Sequence, residues 1–541
     1  MKFASNWQRF VCAVVITGTC ALMVACGGGN DGAVLPPPVT TTLPAVTPSA
    51  AVSATLRGTV SDAANGAGIA GVEVSVGGLN TTTSATGAYT LPVTTGTLVV
   101  SFRKAGFVEQ TKVNTDLNNA GDIAFLNVPL LAFAQSTVLT GTGAQTVTVA
   151  GSTAAVALPA DGLRRTDGSA AQGAITVNLT PINPAVNVNT MPGSLVTLVN
   201  GVTTPIESFG ALNVTIVDAA GAPLNLRSGQ SATIRIPAVT RGAALPASIP
   251  LFNFNATTGQ WVQEGTATLV GSGAAAFYQG SVAHFSTWNA DQVVNTVFIN
   301  GCVIDSAGVR VAGARVTTEG INYVGTASVQ TNAQGNFRIA VKTNSLAALT
   351  ASASGRAGSS VSVASTTVEQ TISTCLTLVQ VGGNAGGVTI KLSWGALPRD
   401  LDSHLWAPTA AGVVTGIDFT NLGDLNNSPF VNLDVDDVSS FGPEFVTINK
   451  IARSTTYRYW VNNFSNSFTP GQTGSPARVE VNVGGSLTTF SPPAGEGNNL
   501  NWHAFDIVVD ANCNIAVVPV NAWLSAEPAA PVYGTARSYC N

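Results

Sequence analysis

Charge is scarce in this chain. Asp, Glu, Lys and Arg make up 9% of 541 residues, and the formal net charge is −5. A nucleic-acid partner calls for a basic patch that neutralises phosphates, and an acidic, charge-poor chain excludes that class. Histidine is scarcer still, with three in the whole sequence, which leaves little room for conventional acid–base or zinc catalysis. The motifs H-E-x-x-H and G-x-S-x-G and the P-loop are all missing. Ser101-Phe102-Arg103-Lys104 fits S-x-x-K but falls in a predicted strand and is set aside. Long helical periodicity is also missing, and after Ala25 no apolar run reaches the ~20 residues of a spanning helix.

What is present is Gly, Ala, Ser, Thr and Val. Disorder combines low hydrophobicity with high net charge, whereas this chain is 45% hydrophobic. Its length suits about four domains. Strand-like stretches recur every 8–12 residues or so, broken by Gly, Asn, Asp and Pro, which predicts an all-β protein of tandem β-sandwich domains.

The N-terminus carries a targeting signal. Lys2 and Arg9 precede an uncharged, mostly apolar run from Phe10 to Ala25, too short to span a bilayer. It ends in Leu22-Met23-Val24-Ala25-Cys26, which resembles the bacterial lipobox with its leucine one place early. The resemblance implies cleavage before Cys26 and acylation (palmitate-type chains) of that cysteine, a durable membrane anchor. Residues 1–25 are then a lipoprotein signal peptide. Gly27 in place of Asp resembles the sorting pattern of outer-membrane lipoproteins, with the periplasmic or surface-exposed side left open. Residues 26–53, rich in Gly, Pro and Thr, read as a flexible tether. Loss of Lys2 and Arg9 leaves 21 basic and 28 acidic residues, a net charge of −7.

Of seven cysteines, Cys12 and Cys20 leave with the signal and Cys26 takes lipid. Cys302, Cys375, Cys513 and Cys540 remain, an even number that suggests disulfides in an exported protein. Three pairings are possible. Cys302–Cys375 and Cys513–Cys540 are favoured, because each pair lies inside or beside one expected domain.

An internal repeat sets the domain plan. Gly58-Thr59-Val60-Ser61-Asp62, Ile69-Ala70-Gly71-Val72 and Thr86-Gly87-Ala88-Tyr89 have counterparts in Gly301-Cys302-Val303-Ile304-Asp305, Val311-Ala312-Gly313-Ala314 and Gln334-Gly335-Asn336-Phe337. Both copies, 54–133 and 294–378, resemble the carboxypeptidase regulatory-like family, a transthyretin-like β-sandwich. Its modules are accessory, so the resemblance implies no catalytic residues. The first copy also has the family's closing pattern, between Gly96 and Phe107; the second lacks it. Between them, 134–293 resembles ZU5-like domains through Glu207-Ser208-Phe209-Gly210, Thr233-Ile234-Arg235-Ile236-Pro237 and the ending His284-Phe285-Ser286-Thr287-Trp288. A last β-domain, 388–525, holds Asp400-Leu401-Asp402-Ser403-His404 and Leu433-Asp434-Val435-Asp436-Asp437 followed by Gly442-Pro443-Glu444. It resembles a family of bacterial envelope β-domains with those two signatures. Residues 526–541 read as a tail. The whole suggests a rod of four domains above the tether.

Three constellations could carry chemistry. In some relatives of the ZU5 domain, His-Phe-Ser is a self-cleavage site. The resemblance makes Ser286 the nucleophile on the Phe285 carbonyl and His284 its base or orienting group, with both on one strand face by period two. The acidic motifs could hold a metal. By the same alternation Asp400, Asp402 and His404 share a face, as do Asp434 and Asp436, with Asp437 opposite. Dense carboxylates repel unless a cation or hydrogen-bond donors compensate, and Ca²⁺ takes about 6–8 oxygens. Asp residues bonding to backbone N–H groups in turns give the same pattern. Finally, Trp394, Trp406, Tyr457, Tyr459, Trp460 and Trp502 could stack on a ligand or fill a core. The leading functional reading is a non-enzymatic, lipid-anchored envelope protein for adhesion, scaffolding or binding of an extracellular protein or carbohydrate. The alternatives are self-cleavage at Phe285-Ser286 and a metal-dependent hydrolase in the C-terminal domain, built on Asp400, Asp402, His404 and Asp434.

Overall fold

A computed structural model of the chain describes residues 53–380, 387–438, 440–466 and 471–540. The signal segment, Cys26 and nearly all of the tether lie outside the described residues. Among those described there are forty β-strands, three single-turn 3-10 helices and no α-helix. The protein is all-β, built of tandem β-sandwiches.

The first domain shows how the sequence writes its fold. In Ala88–Thr94, alternate residues Tyr89, Leu91 and Val93 are buried and their neighbours exposed, the period of a strand with one face on a core. This strand pairs antiparallel with Ser53–Asp62, which also pairs in parallel with Ile123–Phe125 and Val128–Leu130. The facing sheet runs Leu79–Thr82, Glu73–Val76, Gly96–Arg103, Gln110–Leu117.

The second copy repeats this plan strand for strand. Thr296–Asp305 pairs antiparallel with Asn336–Lys342 and in parallel with Gln370–Thr371 and Leu376–Gln380. Arg315–Gly320 lies between Thr326–Gln330 and Leu346–Ala353. Even one side-chain clip recurs. Thr83 Oγ1 donates to Ile69 O and accepts from Val72 N, and Thr331 Oγ1 does the same with Val311 O and Ala314 N. Where this copy lacks the sequence pattern of the closing strands, Cys375 at the entry to the last strand is bonded to Cys302 on the first, with Cα atoms 4.6 Å apart.

The middle domain is one 13-stranded sheet system. Its spine is the long strand Val202–Asp218, paired with both Ile175–Ile182 and Thr287–Val293. The C-terminal domain packs a six-stranded sheet on a five-stranded one. Trp394, Tyr457, Tyr459, Trp460 and Trp502 are fully buried there, so five of the six candidate stacking residues are core. The sixth, Trp406, is half-buried and donates from Nε1 to Pro528 O at 2.8 Å.

Two expectations are corrected. Residues 526–541 are not a tail. Tyr533 donates to Thr456 O, and Cys540, bonded to Cys513, is buried in the core. The domain therefore runs to Cys540. Nor are the domains a rod of separate beads. One apolar cluster draws Ile182, Met191, Ile206, Phe252 and Trp261 from the middle domain and Val324 from the second copy, with Leu131 of the first copy and Phe441 of the last domain packed against it. Charged contacts reinforce this junction. Glu319 of the second copy meets Arg241 of the middle domain at 3.4 Å and Lys391 of the C-terminal domain at 2.6 Å. Lys342 meets Glu207 at 2.7 Å across the same boundary between the second copy and the middle domain.

Candidate metal centre

The two acidic motifs come together at one end of the C-terminal sandwich. Asp402 opens the strand Asp402–Pro408, and Asp400 lies in the segment leading into it. The second motif leaves its sheet at Leu433, the last residue of Val431–Leu433. Residues 434–438 are then free of strand alternation, so period two no longer decides where their side chains go. Asp436 turns toward the first motif, and ligand oxygens of Asp400, Asp402 and Asp436 lie within 4.8 Å of one another. Two oxygens each about 2.4 Å from one calcium ion are at most about 4.8 Å apart.

Asp434 goes elsewhere, which corrects its place in the candidate set. Its carboxylate accepts from Ser360 Oγ of the second copy at 2.6 Å and from the Phe445 and Val435 N–H groups at 2.8 and 2.9 Å. It fastens two domains, and burial pushes it up to about 7. Asp437 is buried, and its N–H donates to Glu444 Oε1 at 3.2 Å.

Glu444 joins the two motifs. It is 1% exposed and also accepts from Ser403 N at 2.8 Å. The glutamate of the G-P-E signature thus holds both acidic segments in register. Burial raises it well above the usual carboxylate range, with Asp402 adding to the effect.

Electrostatically the cluster is frustrated. Asp402 is 3% exposed and is pushed up to about 8 by burial, then by Asp400 and Asp436. Burial raises Asp400 and Asp436 as well. Like charges this close cannot all ionise without a compensating cation. His404, on the same strand, is 6% exposed and stacks on Trp460 at 5.0 Å. Its Nε2 is 4.0 Å from Asp402 Oδ2 and its Nδ1 is 3.8 Å from Asp418 Oδ2. Neither ring nitrogen has a hydrogen bond, and neither does Asp402 Oδ2. Burial lowers His404 to about 4 despite Asp418, so it is neutral at physiological pH. Buried polar atoms without partners are rare in native proteins and call for an explanation; a cation or water held between the two motifs would supply one. The other histidine of the domain, His503, pairs with Asp506 at 2.7 Å on the strand Asn501–Val509.

The His-Phe-Ser segment is arranged otherwise than its spacing suggests. Residues 284–286 lie in a bend between Phe277–Val282 and Thr287–Val293, not in a strand. His284 Nε2 meets Glu264 Oε2 at 3.1 Å, while Ser286 Oγ donates to Thr287 O at 3.3 Å. The expected base and nucleophile are thus engaged with other groups. Asn225 grips the peptide instead. Its Oδ1 accepts from Phe285 N at 2.7 Å and its Nδ2 donates to Phe285 O at 3.2 Å.

The first domain has a counterpart among known families. Residues 55–130 match the carboxypeptidase regulatory-like domain. In this protein that domain contacts the middle domain through Lys112, which donates to Asn189 O at 2.8 Å, and its pairing plan is the one repeated at 296–380. No curated protein matches the chain. Solved structures with partial likeness include the Bacillus anthracis TIE protein, at 13% identity and TM-score 0.14 over 60% of this chain and 51% of that one. They also include BcpA, the major pilin subunit of Bacillus cereus, at 10% identity and TM-score 0.14 over 59% and 98%. The full-length major pilin RrgB of Streptococcus pneumoniae shows 9% identity and TM-score 0.11 over 76% and 91%. Nothing about function follows from likeness at this level.

Three residues around the centre carried no signal by spacing. Glu444 was visible as part of a motif but not as its clamp. Asp418 and Phe419 arrive from a different segment, and only the fold brings them to His404.

Proposed function

We propose that this chain is an exported, lipid-anchored, non-catalytic binding protein of the cell envelope whose C-terminal domain takes up a divalent cation. The observation that carries the reading is the convergence of Asp400, Asp402 and Asp436 beside a buried histidine with no hydrogen bond. An all-carboxylate set favours a hard ion, and calcium suits a site of this span. The Cys26 anchor and an outer-membrane location rest on the targeting sequence, and the two cystines support an oxidising compartment. The engagement of His284 with Glu264 and of Ser286 with Thr287, and the bonds that hold Asp434 to Ser360 and Phe445, both favour binding over catalysis.

Thermal melting of the metal-stripped mature chain tests the cation. Calcium at ~100-fold over Kd stabilises by about 2.7 kcal/mol, and Asp436→Asn abolishes that shift. A melt unmoved by calcium, magnesium and zinc rejects the site. Cys26→Ala is expected to lose palmitate labelling and to move the chain from the membrane to the soluble fraction.

A second reading, self-cleavage between Phe285 and Ser286, has one observation in its favour: Asn225 Nδ2 donates to the carbonyl that an attack would polarise. Denaturing electrophoresis decides it. Two fragments that merge in Ser286→Ala support cleavage, and one intact band rejects it.

A further inference from the structure

The acidic cluster is closed on the protein side and open on the other. Asp400 and Asp402 are buried, whereas Asp436 is exposed. Beside the cluster stand two aromatic rings that the core does not use. Phe419 is 38% and Phe464 59% exposed, and their rings meet edge-to-face at 5.4 Å. Both are tied to the acidic residues. Phe419 sits edge-on to His404 at 6.2 Å, and His404 Nε2 looks onto Asp402. Ser465, next to Phe464, donates its N–H to Asp400 O at 3.5 Å. Leaving such rings partly in water forgoes some of the gain that burial of a large apolar side chain supplies.

A cation on three carboxylates has room for more ligands. Calcium takes about 6–8 oxygens, so roughly three or more positions remain if each Asp gives one. Charge decides what fills them. Asp402 feels Asp418 as well as Asp400 and Asp436, and Asp437 acts on Asp400. Arg399, acting on Asp400, opposes them. Against this excess a doubly charged ion leaves the site negative or neutral, and a carboxylate or phosphate ligand would be repelled. A pair of hydroxyl groups brings two oxygens and no charge.

We propose that the C-terminal domain binds neutral glycans. Adjacent hydroxyl groups of a sugar complete the coordination of the cation held by Asp400, Asp402 and Asp436, and the apolar C–H face of the ring lies on Phe464 and Phe419. This rests on the cation reading above.

The test applies the mature chain to a printed array of neutral and anionic oligosaccharides, with calcium and again with EDTA. Calcium affinity is measured in parallel by calorimetry. The expected result is binding to neutral glycans with vicinal diols that is lost in EDTA. Phe464→Ala weakens it about tenfold, the change that ~1.4 kcal/mol produces, while calcium affinity stays as in the parent chain. Asp436→Asn removes both. Calcium binding with no glycan retained overturns this inference and leaves the cation site standing. So does glycan binding that survives EDTA, or a preference for anionic glycans. Absence of calcium binding overturns both readings.

Discussion

Replacing Glu319 by Gln tests whether three of the four domains form one body. The Glu319 carboxylate accepts from Lys391 at 2.6 Å and from Arg241 at 3.4 Å, and the Arg241 side chain is 1% exposed. Glutamine has nearly the same shape, so the loss is electrostatic and leaves no cavity. Two cations then share a buried corner with only the more distant field of Asp437 on Arg241 to offset them. Arg241 keeps its bonds to Ala185 O and Gly320 O, which limits but does not cancel the cost. Breaking a buried pair from one side costs about 3–5 kcal/mol. Glu319 and Lys391 retain 16% and 14% exposure, so the lower end, about 3 kcal/mol, is expected. The three groups belong to three domains, and the loss falls on their docking and not on any single core. Urea unfolding followed by tryptophan fluorescence should show one transition in the parent chain, and an earlier, split transition in the variant. Replacing all three residues by apolar ones of similar volume should restore most of the stability, since such a swap removes the desolvation cost together with the attraction. A shift under ~1 kcal/mol with a single transition retained would refute the reasoning, because that is the worth of an exposed pair.

The pH profile of the metal-free protein carries a defined sign. Asp402 is raised to about 8 and Asp434 to about 7, both first by burial, against an unfolded value of about 4. Each holds a proton in the folded state that the unfolded chain has released, so stability falls as pH climbs from about 4 to about 8. Asp402→Asn should reduce that slope and calcium should oppose it; a flat profile for the stripped parent counts against the burial argument. The cystines should differ in worth. Cys302–Cys375 spans 73 residues and Cys513–Cys540 spans 27. Closure entropy gives about 4.4 and about 3.5 kcal/mol, and denaturant midpoints of Cys375→Ser and Cys540→Ser, with the parent under reducing conditions as reference, check the order.

Local features were legible in the sequence because the code for a strand is local. Alternation at Tyr89, Leu91 and Val93, and again at Phe337, Ile339 and Val341, marks strands that the structure has. The repeat was legible for the same reason. The errors came where alternation was carried past the end of a strand. Asp434 and Asp436 were given one face by period two, but the strand stops at Leu433, and the two side chains part company. His284 and Ser286 were paired by the same rule across what is a bend. The junction of the domains was not legible at all. Glu319 lies 78 residues from Arg241 and 72 from Lys391, and no periodicity operates over such distances. The clamp role of Glu444 was hidden similarly, since its bonds to Ser403 N and Asp437 N appear only once two sheets face each other.

The apolar cluster shared by the domains bears on how the chain can be delivered. Synthesis presents the N-terminal domain first. Leu131 and Val324 must then wait beside an unfinished surface until Phe441, some 300 residues beyond Leu131, arrives to cover it. Until that moment the emerging polypeptide shows the kind of contiguous greasy patch that invites self-association. A premature stop between the second copy and Phe441 would therefore release a fragment with three well-formed sandwiches and a sticky seam. For this architecture, quality control has to recognise incompleteness in a chain whose individual domains already look finished.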